Sequence, residues 1–330
     1  MTRLLISQTF VDRFGDQLAR AEADSGLAIE HLIPPTGEGD QMTAEQCESI
    51  DIAFFSEDQL GPPGRPFFDA LGRAPNLRWL HVFHAGVDAP RYGELMEQGV
   101  RLSTSSGTNA EPIAHTLIAG LLMLSRGFPG WLDAQRAREW GRRTRDEGPV
   151  DLRDQTLVII GLGSIGAHIG RIAQVIGLHV IGVRRSPRRP DDPVDEMFTP
   201  SQLDAVLPRA DWLALACPLT EQTRGMIDAR ALALLPRGAR LLNVARGGVV
   251  VEPDLVAALQ SGQLGGAYLD VFAKEPLPPD SPLWELPEVI ITPHNSAVSS
   301  GTDGRAAELF LDNLVRWGRE QELINEVHER

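Results

Sequence analysis

Three short segments carry side chains that suit one another chemically: Asn243-Val-Ala-Arg246-Gly-Gly248, Leu269-Asp270-Val-Phe-Ala-Lys-Glu275-Pro276 and Thr292-Pro-His294-Asn295. Arg246 is permanently charged and fork-shaped, so it can grip a carboxylate and polarise a carbonyl oxygen on which negative charge develops. His294 can exchange a hydroxyl proton near neutral pH, and Glu275 can hold its ring. Taken singly, an Arg in a Gly turn, a Glu before Pro and a His after Pro are more often surface features than catalysts. Here each follows an apolar strand pattern, which places all three on the carboxyl edge of one sheet. An Arg, a carboxylate and a His beside a nicotinamide are the parts that hydride exchange with a 2-hydroxy acid needs.

A nicotinamide dinucleotide is implied by a fourth segment. The apolar run Leu157-Val-Ile-Ile160 leads directly into Gly161-Leu-Gly163-Ser164-Ile165-Gly166 and then a helical stretch, with Gly177 ahead of a second strand. Gly161 permits the tight turn, Gly163 lets the backbone approach a pyrophosphate, and Gly166 allows close helix packing, while the helix N terminus offers its N–H groups to the anion. Without the flanking strand and helix this would be merely a Gly-rich turn. The second strand, His179-Val-Ile-Gly-Val183, ends where NAD-specific folds place an acidic residue on the ribose, ~20 residues after the fingerprint. That place holds Arg184, followed by Arg185 and Ser186. All three can donate hydrogen bonds to a 2′-phosphate, so NADP(H) is expected to be preferred, with NAD(H) possible, and Arg184→Asp to move the preference toward NADH. The bland reading is a solvated Arg pair on a turn toward Pro187.

The elements that must position these residues follow from the apolar pattern. Strands are expected near 157–160, 179–183, 212–216, 240–243, 267–270 and 289–292, and six of them make a doubly wound parallel sheet. Up to about residue 103, strand candidates such as Leu4-Leu5-Ile6 and Ile52-Ala-Phe-Phe55 alternate with helical stretches, which predicts a smaller α/β domain. A helix is expected over 110–126, capped by Asn109, stopped by Gly127 and Pro129, and bridging the two domains. A last amphipathic helix over 305–319 returns to the first domain. The fold class is thus α/β, two Rossmann-like or flavodoxin-like parallel-sheet domains. Residues 105–298 form the nucleotide domain, inserted in a substrate-binding cap of residues 1–104 and 299–330. Two chain crossings suit a hinge that closes the cleft and excludes water.

Composition narrows the function classes. Of 330 residues, 31 are Lys or Arg and 45 are Asp or Glu, a formal net charge of −14, which opposes sequence-independent affinity for nucleic acid or anionic membrane. The two cysteines, Cys47 and Cys217, support neither a disulfide framework nor a zinc cluster, and Cys217 reads as a space filler. No metal is expected: His81 and His84 read as packing or loop residues, because no third ligand lies at a suitable spacing. The start lacks a signal-peptide pattern, and the apolar stretch from Thr116 to Leu124 is about half of the ~20 residues that a membrane span needs. A cytoplasmic protein acting on a small molecule is expected.

With these motifs the chain resembles the D-isomer-specific 2-hydroxyacid dehydrogenase family, which includes glyoxylate/hydroxypyruvate reductases. The likeness covers nearly the whole chain and is most specific from Gly161 to His294, including Pro218-Leu-Thr-Glu-Gln-Thr-Arg-Gly225 and Leu283-Trp-Glu-Leu-Pro287. It implies catalytic roles for Arg246, Glu275 and His294, a small 2-keto or 2-hydroxy acid as substrate, and a homodimer through the nucleotide domain. It adds Ser164, Ile165, Cys217, Pro218, Thr223, Val244 and Ala245 to the cofactor contacts, with Arg246 and His294, and puts Asp270 at the nicotinamide side, where the plain alternative is a strand-end cap. In His84-Ala85-Gly86-Val87-Asp88, it implies that the backbone N–H groups of Ala85, Gly86 and Val87 receive the substrate carboxylate. Two departures stand out: Ala114-His115-Thr116 replaces the usual Ala-Glu-His, and Asn295-Ser-Ala-Val-Ser-Ser300 replaces the commoner Ala-Gly pattern. The rival class is an NAD(H)-sensing, corepressor-like binding protein on the same scaffold, against which the intact Arg, Glu and His argue. A formate-dehydrogenase-like enzyme would pair the His with Gln rather than Glu275.

Overall fold

The computed structural model describes residues 1–35, 40–61, 64–87, 89–141 and 148–328. The chain divides into two units, one of residues 1–108 with 299–330 and one of residues 109–298.

In the first unit, β1 (Thr2–Leu5), α1 (Gln8–Ser25), β2 (Ile29–Leu32), α2 (Ala44–Glu48), β3 (Ile52–Phe55), α3 (Arg65–Leu71), β4 (Trp79–Val82), α4 (Pro90–Glu97) and β5 (Arg101–Thr104) alternate regularly. Five parallel strands lie in the order β2-β1-β3-β4-β5, the flavodoxin-like arrangement. β3 and β4 are buried at every position, because helices cover both faces of a parallel sheet and leave no polar face to alternate with. Numbered along the whole chain, the C-terminal elements are α11 (Thr302–Gly318) and β13 (Glu326–Val327). α11 lies against α1, and its Phe310 stacks on Phe54 of β3 with ring centroids 4.1 Å apart. The last helix therefore completes this core, as its apolar stripe predicts. β13 joins antiparallel to β5, where Glu326 accepts both arms of the Arg101 fork at 2.6 and 2.7 Å; two residues of strand leave no periodic signal in sequence.

The second unit contains α5 (Ala110–Arg126), α6 (Phe128–Ala137), β6 (Thr156–Ile160), α7 (Ser164–Val175), β7 (His179–Val183), β8 (Glu196–Phe198), α8 (Leu203–Val206), β9 (Trp212–Leu215), α9 (Ala229–Leu234), β10 (Ala239–Asn243), α10 (Glu252–Gln260), β11 (Leu264–Leu269) and β12 (Val289–Ile291). Its strands form one parallel sheet in the order β8-β7-β6-β9-β10-β11-β12, the doubly wound pattern with the strand order reversing beside β6. The seventh strand is β8, whose three residues are all half-buried and offer no apolar run. α5 has the expected bounds but differs at both ends. No side-chain hydrogen bond caps it at Asn109, and Pro129 opens the first turn of α6 instead of ending α5; Gly127, left-handed at φ 70°, makes the break alone. Rather than spanning two domains, α5 lies within this unit, packed so closely on β11 that a Cβ at Gly120 would stand 2.6 Å from the Tyr268 ring. Among the described residues no helix is long and apolar enough to cross a membrane.

His81, on β4, is fully buried, with Nδ1 2.7 Å from the Ser103 hydroxyl and Nε2 3.0 Å from that of Ser105. It is a packing residue, as its spacing predicts. Burial, with a smaller contribution from His84, pushes its pKa down to about 3. The unfolded chain therefore binds a proton that the folded chain refuses across the window between the ordinary histidine value and about 3. Stability from this group is complete at neutral pH and lost as pH falls through that window, at up to ~1.4 kcal/mol per pH unit. Urea unfolding at a series of pH values should give a shallower acid decline for His81→Gln than for the wild type; equal slopes would show that His81 does not set it.

Candidate active site

Each functional segment follows the C-terminal end of a strand in the second unit: Gly161 after β6, Arg184 after β7, Cys217 after β9, Val244 after β10, Asp270 after β11 and Thr292 just past β12. Gly161 turns at φ 96°, and a Cβ there would stand 2.5 Å from the Cys217 backbone nitrogen. A Cβ on Gly166 would collide with the Gly161 carbonyl, whereas one on Gly163 would meet nothing within 4 Å. The turn is thus packed on its sheet side and open at Gly163. α7 begins at Ser164 with no side chain capping it, so the first-turn N–H groups of Ser164, Ile165 and Gly166 face an opening that a pyrophosphate fits. The Cys217 thiol is buried, and burial pushes its pKa up to about 11; it fills space beside the glycines. Beyond it the loop is shaped by Thr223, whose hydroxyl donates to the Pro218 carbonyl at 2.7 Å.

The catalytic candidates are set by backbone contacts along the same edge. The Asp270 N–H donates to the Asn243 carbonyl at 3.0 Å, and the His294 N–H to the Asp270 carbonyl at 2.9 Å, so the ends of β10, β11 and β12 are joined in series. Asn243, buried, accepts the Ala245 N–H on its side chain at 3.0 Å. This short side-chain turn aims the backbone through Val244 and Ala245, both buried, to the half-buried Arg246. Glu275 bridges two partners: one oxygen accepts the Phe272 N–H at 3.0 Å, and the other lies 2.7 Å from His294 Nδ1. Since the carboxylate can only accept, Nδ1 carries the proton and Nε2 is left for a substrate. His294 itself is left-handed at φ 52°, a conformation that a non-glycine residue keeps only when its surroundings hold it.

Asp270 supplies that hold. It is 2% exposed, and its carboxylate accepts the Thr292 hydroxyl at 2.7 Å, the Asn295 N–H at 2.9 Å, the Ser296 N–H at 3.1 Å and the Ser296 hydroxyl. The carboxylate is thus engaged in capping the loop that carries His294. The two departures from the family pattern meet here, because Thr116 on α5 donates to the Ser296 carbonyl at 3.4 Å and to Pro112 at 2.9 Å, while His115 points away, with most of its side chain exposed.

The loop after β7 is tied together by Arg184. Every N–H of the Arg184 guanidinium has an acceptor within the protein: Nε donates to the Ser186 carbonyl at 3.3 Å, Nη1 to the Leu162 carbonyl at 3.2 Å and Asp192 Oδ1 at 3.0 Å, and Nη2 to the Pro187 carbonyl at 2.5 Å and Asp192 Oδ2 at 2.7 Å. Arg184 therefore has no donor left for a 2′-phosphate. Arg185 and Ser186, both exposed, make no side-chain hydrogen bond among the described residues. Sequence reasoning missed Asp192, which has no fixed spacing from the fingerprint, and Asn243 and Glu252, whose tasks are to shape turns; Glu252 accepts the Ala273 N–H at 3.0 Å.

Ala85, Gly86 and Val87 lie in the first unit just beyond β4, and Asp88 of the same motif is outside the described residues. The neighbouring His84 has Nε2 3.1 Å from the Tyr92 hydroxyl. Among the described residues no three His, Cys, Asp or Glu side chains gather as metal ligands.

This architecture and edge chemistry define a dinucleotide-dependent oxidoreductase, and comparison places it more closely. The NAD binding domain profile of the D-isomer specific 2-hydroxyacid dehydrogenases matches residues 118–296. A glyoxylate/hydroxypyruvate reductase B of Yersinia pestis is 35% identical over 263 residues, covering 79% of this chain and 80% of the relative. A D-isomer specific 2-hydroxyacid dehydrogenase of Xanthobacter autotrophicus, solved with NADPH and MES, superposes with a TM-score of 0.77 at 29% identity over 99% of this chain and 98% of its own. An NADPH-dependent glyoxylate/hydroxypyruvate reductase of Sinorhizobium meliloti, solved with NADP and sulfate, gives 0.75 at 28% identity with the same coverage. The chain belongs to the D-isomer specific 2-hydroxyacid dehydrogenase family of NAD(P)-dependent enzymes.

One position in the site admits no side chain. A Cβ on Gly247, directly after Arg246, would collide with the backbone carbonyl group of Phe272, three residues before Glu275. Gly247→Ala must push the Arg246 turn away from the Glu275 loop, so both Tm and kcat should fall together. Gly248→Ala, whose nearest neighbour is a Leu219 methyl at 3.3 Å, should be far milder. Equal effects of the two changes would contradict this reading.

Proposed function

We propose that the protein reduces a small 2-keto acid of the glyoxylate or hydroxypyruvate kind to the D-2-hydroxy acid, with NADPH preferred over NADH. The observation that carries this reading is the Glu275–His294 pair, 2.7 Å apart, on the strand edge that also holds Arg246 and the open glycine turn. A bound nicotinamide cofactor would supply the hydride for the carbonyl carbon. As the imidazolium, protonated at both nitrogens, His294 gives its Nε2 proton to the carbonyl oxygen, and Glu275 keeps Nδ1 protonated and the ring oriented. Arg246 binds the substrate carboxylate and stabilises the charge that grows on the carbonyl oxygen. On the family resemblance we assign the backbone N–H groups of Ala85, Gly86 and Val87, in the first unit, as donors to a substrate carboxylate. The Yersinia and Sinorhizobium relatives support the substrate class, and the NADPH- and NADP-bound neighbours support the cofactor.

His294→Ala should lose about 10²–10⁴-fold in kcat, the usual contribution of one general acid. Arg246→Lys keeps the charge but not the fork, and should lose kcat and raise KM for the keto acid. Steady-state assays with glyoxylate, hydroxypyruvate and pyruvate against both reduced cofactors test the reading. No turnover with any of them, or near-wild-type kcat/KM in either variant, would defeat it.

We further propose a cytoplasmic homodimer formed through the second unit. α6 has ten residues and not one of them is buried, although it carries Phe128 at 42% and Trp131 at 38% exposure, with Trp140 just beyond at 94%. An aromatic-bearing helix so uncovered suits a second copy of the chain. Phe128→Glu should shift sedimentation from dimer to monomer; a wild type that already sediments as a monomer would refute the assembly.

A further inference from the structure

Among the described residues of the second unit, Arg184 and Asp192 form the least exposed ion pair, with side-chain exposures of 12% and 7%. The pair is bidentate, at 3.0 and 2.7 Å. It closes a turn in which the guanidinium also gathers the carbonyls of Ser186 and Pro187, while Asp192 takes the Arg189 N–H at 2.6 Å. On its other side Arg184 reaches the carbonyl of Leu162, inside the glycine fingerprint. One side chain thus ties the turn after β7 to the turn that receives the pyrophosphate. Arg188 secures the far limb of the same loop, donating to the carbonyls of Val194 at 2.6 Å and Asp195 at 3.1 Å. Between these fastenings stand Arg185 and Ser186, exposed and without side-chain partners among the described residues.

We propose that Asp192 is a specificity-determining positioning residue: by locking Arg184 into the turn it holds Arg185 and Ser186 in place to receive the 2′-phosphate of NADP(H). This rests on the NADPH preference proposed above and changes what should follow from mutation. If Arg184 bound the phosphate directly, neutralising Asp192 would release its guanidinium and add positive charge to the site, and NADP⁺ would bind more tightly. With the turn held by the pair, the same change loosens Arg185 and Ser186, and NADP⁺ binds more weakly although the local charge has become more favourable. The sign of the Asp192→Asn effect therefore separates the two. Arg184→Asp, which a charge argument alone would choose to convert the enzyme to NADH, sets a second carboxylate against Asp192 and dismantles the turn.

The experiment is calorimetric titration of wild type, Arg184→Lys, Asp192→Asn and the doubly neutral Arg184→Gln/Asp192→Asn protein with NADP⁺ and NAD⁺, with Arg185→Gln as the direct-contact comparison. The expected result is a loss of about tenfold or more in NADP⁺ affinity in each single variant, the size of one charge-assisted hydrogen bond. NAD⁺ affinity should stay within about threefold, which also reports that the domain is folded. The double variant, which leaves no unpaired buried charge, should be no worse than either single change, because the two residues act as one unit. Tighter or unchanged NADP⁺ binding in Asp192→Asn, or NADP⁺ and NAD⁺ weakened equally, would overturn the positioning role while leaving the cofactor preference standing. Equal wild-type affinities for the two cofactors would instead overturn the preference; the lock would then survive only if the variants still lowered NADP⁺ affinity selectively.

Discussion

A carboxylate removed from water must find donors or give up its charge, and the active edge of this protein is arranged around one such group. Asp270 stands at the end of β11 with 2% of its surface exposed and takes its donors from the segment 292–296. The ordering of that segment is what lets His294 hold a left-handed backbone at φ 52° and present its ring to Glu275. The same residue's backbone links β10 to β12 through Asn243 and His294. His294 is thus placed by a buried neighbour, and the alignment of the three strand ends passes through one position.

The parallel sheet makes this economical. Because every strand of the second unit runs the same way, all of its C-terminal ends fall on one edge, where successive loops can each contribute one functional group. The glycine turn, the basic turn after β7, the Cys217 loop, the Arg246 turn and the histidine loop are neighbours in space for that reason alone. Glycine does a second task at two of these loops. Gly161 and Gly247 allow backbone to approach backbone at distances that a Cβ would forbid, so the loops pack closely against each other.

The basic turn and the histidine loop share a design. In each, an ionised side chain is satisfied internally and the residue beside it is left exposed: Arg184 and Asp192 behind Arg185, Asp270 behind His294. Net charge at such a turn is a poor guide to its recognition, since a guanidinium with five internal acceptors contributes geometry rather than free donors.

Much of this was legible in the residues. The glycine spacing after an apolar strand, the six longer strands, the α5 limits and the return of the last helix all follow from periodicity and from turn chemistry, which act over a few residues. The order of Arg246, Glu275 and His294 along successive strand ends was readable for the same reason, and so was the packing role of His81. What sequence could not supply were contacts whose partners are remote or irregularly spaced. β8 and β13 are too short to carry a period and exist because a neighbouring strand offers them a ladder. That the 292–296 loop surrounds the Asp270 carboxylate with donors is one such contact. Arg184 reads as a free cation until Asp192, eight residues on, folds back to meet it. Local sequence determined which side chains lie at the carboxyl edge; only the tertiary structure decided which of their donors and acceptors are already taken, because hydrogen bonds are allotted by proximity in space and not by position in the chain.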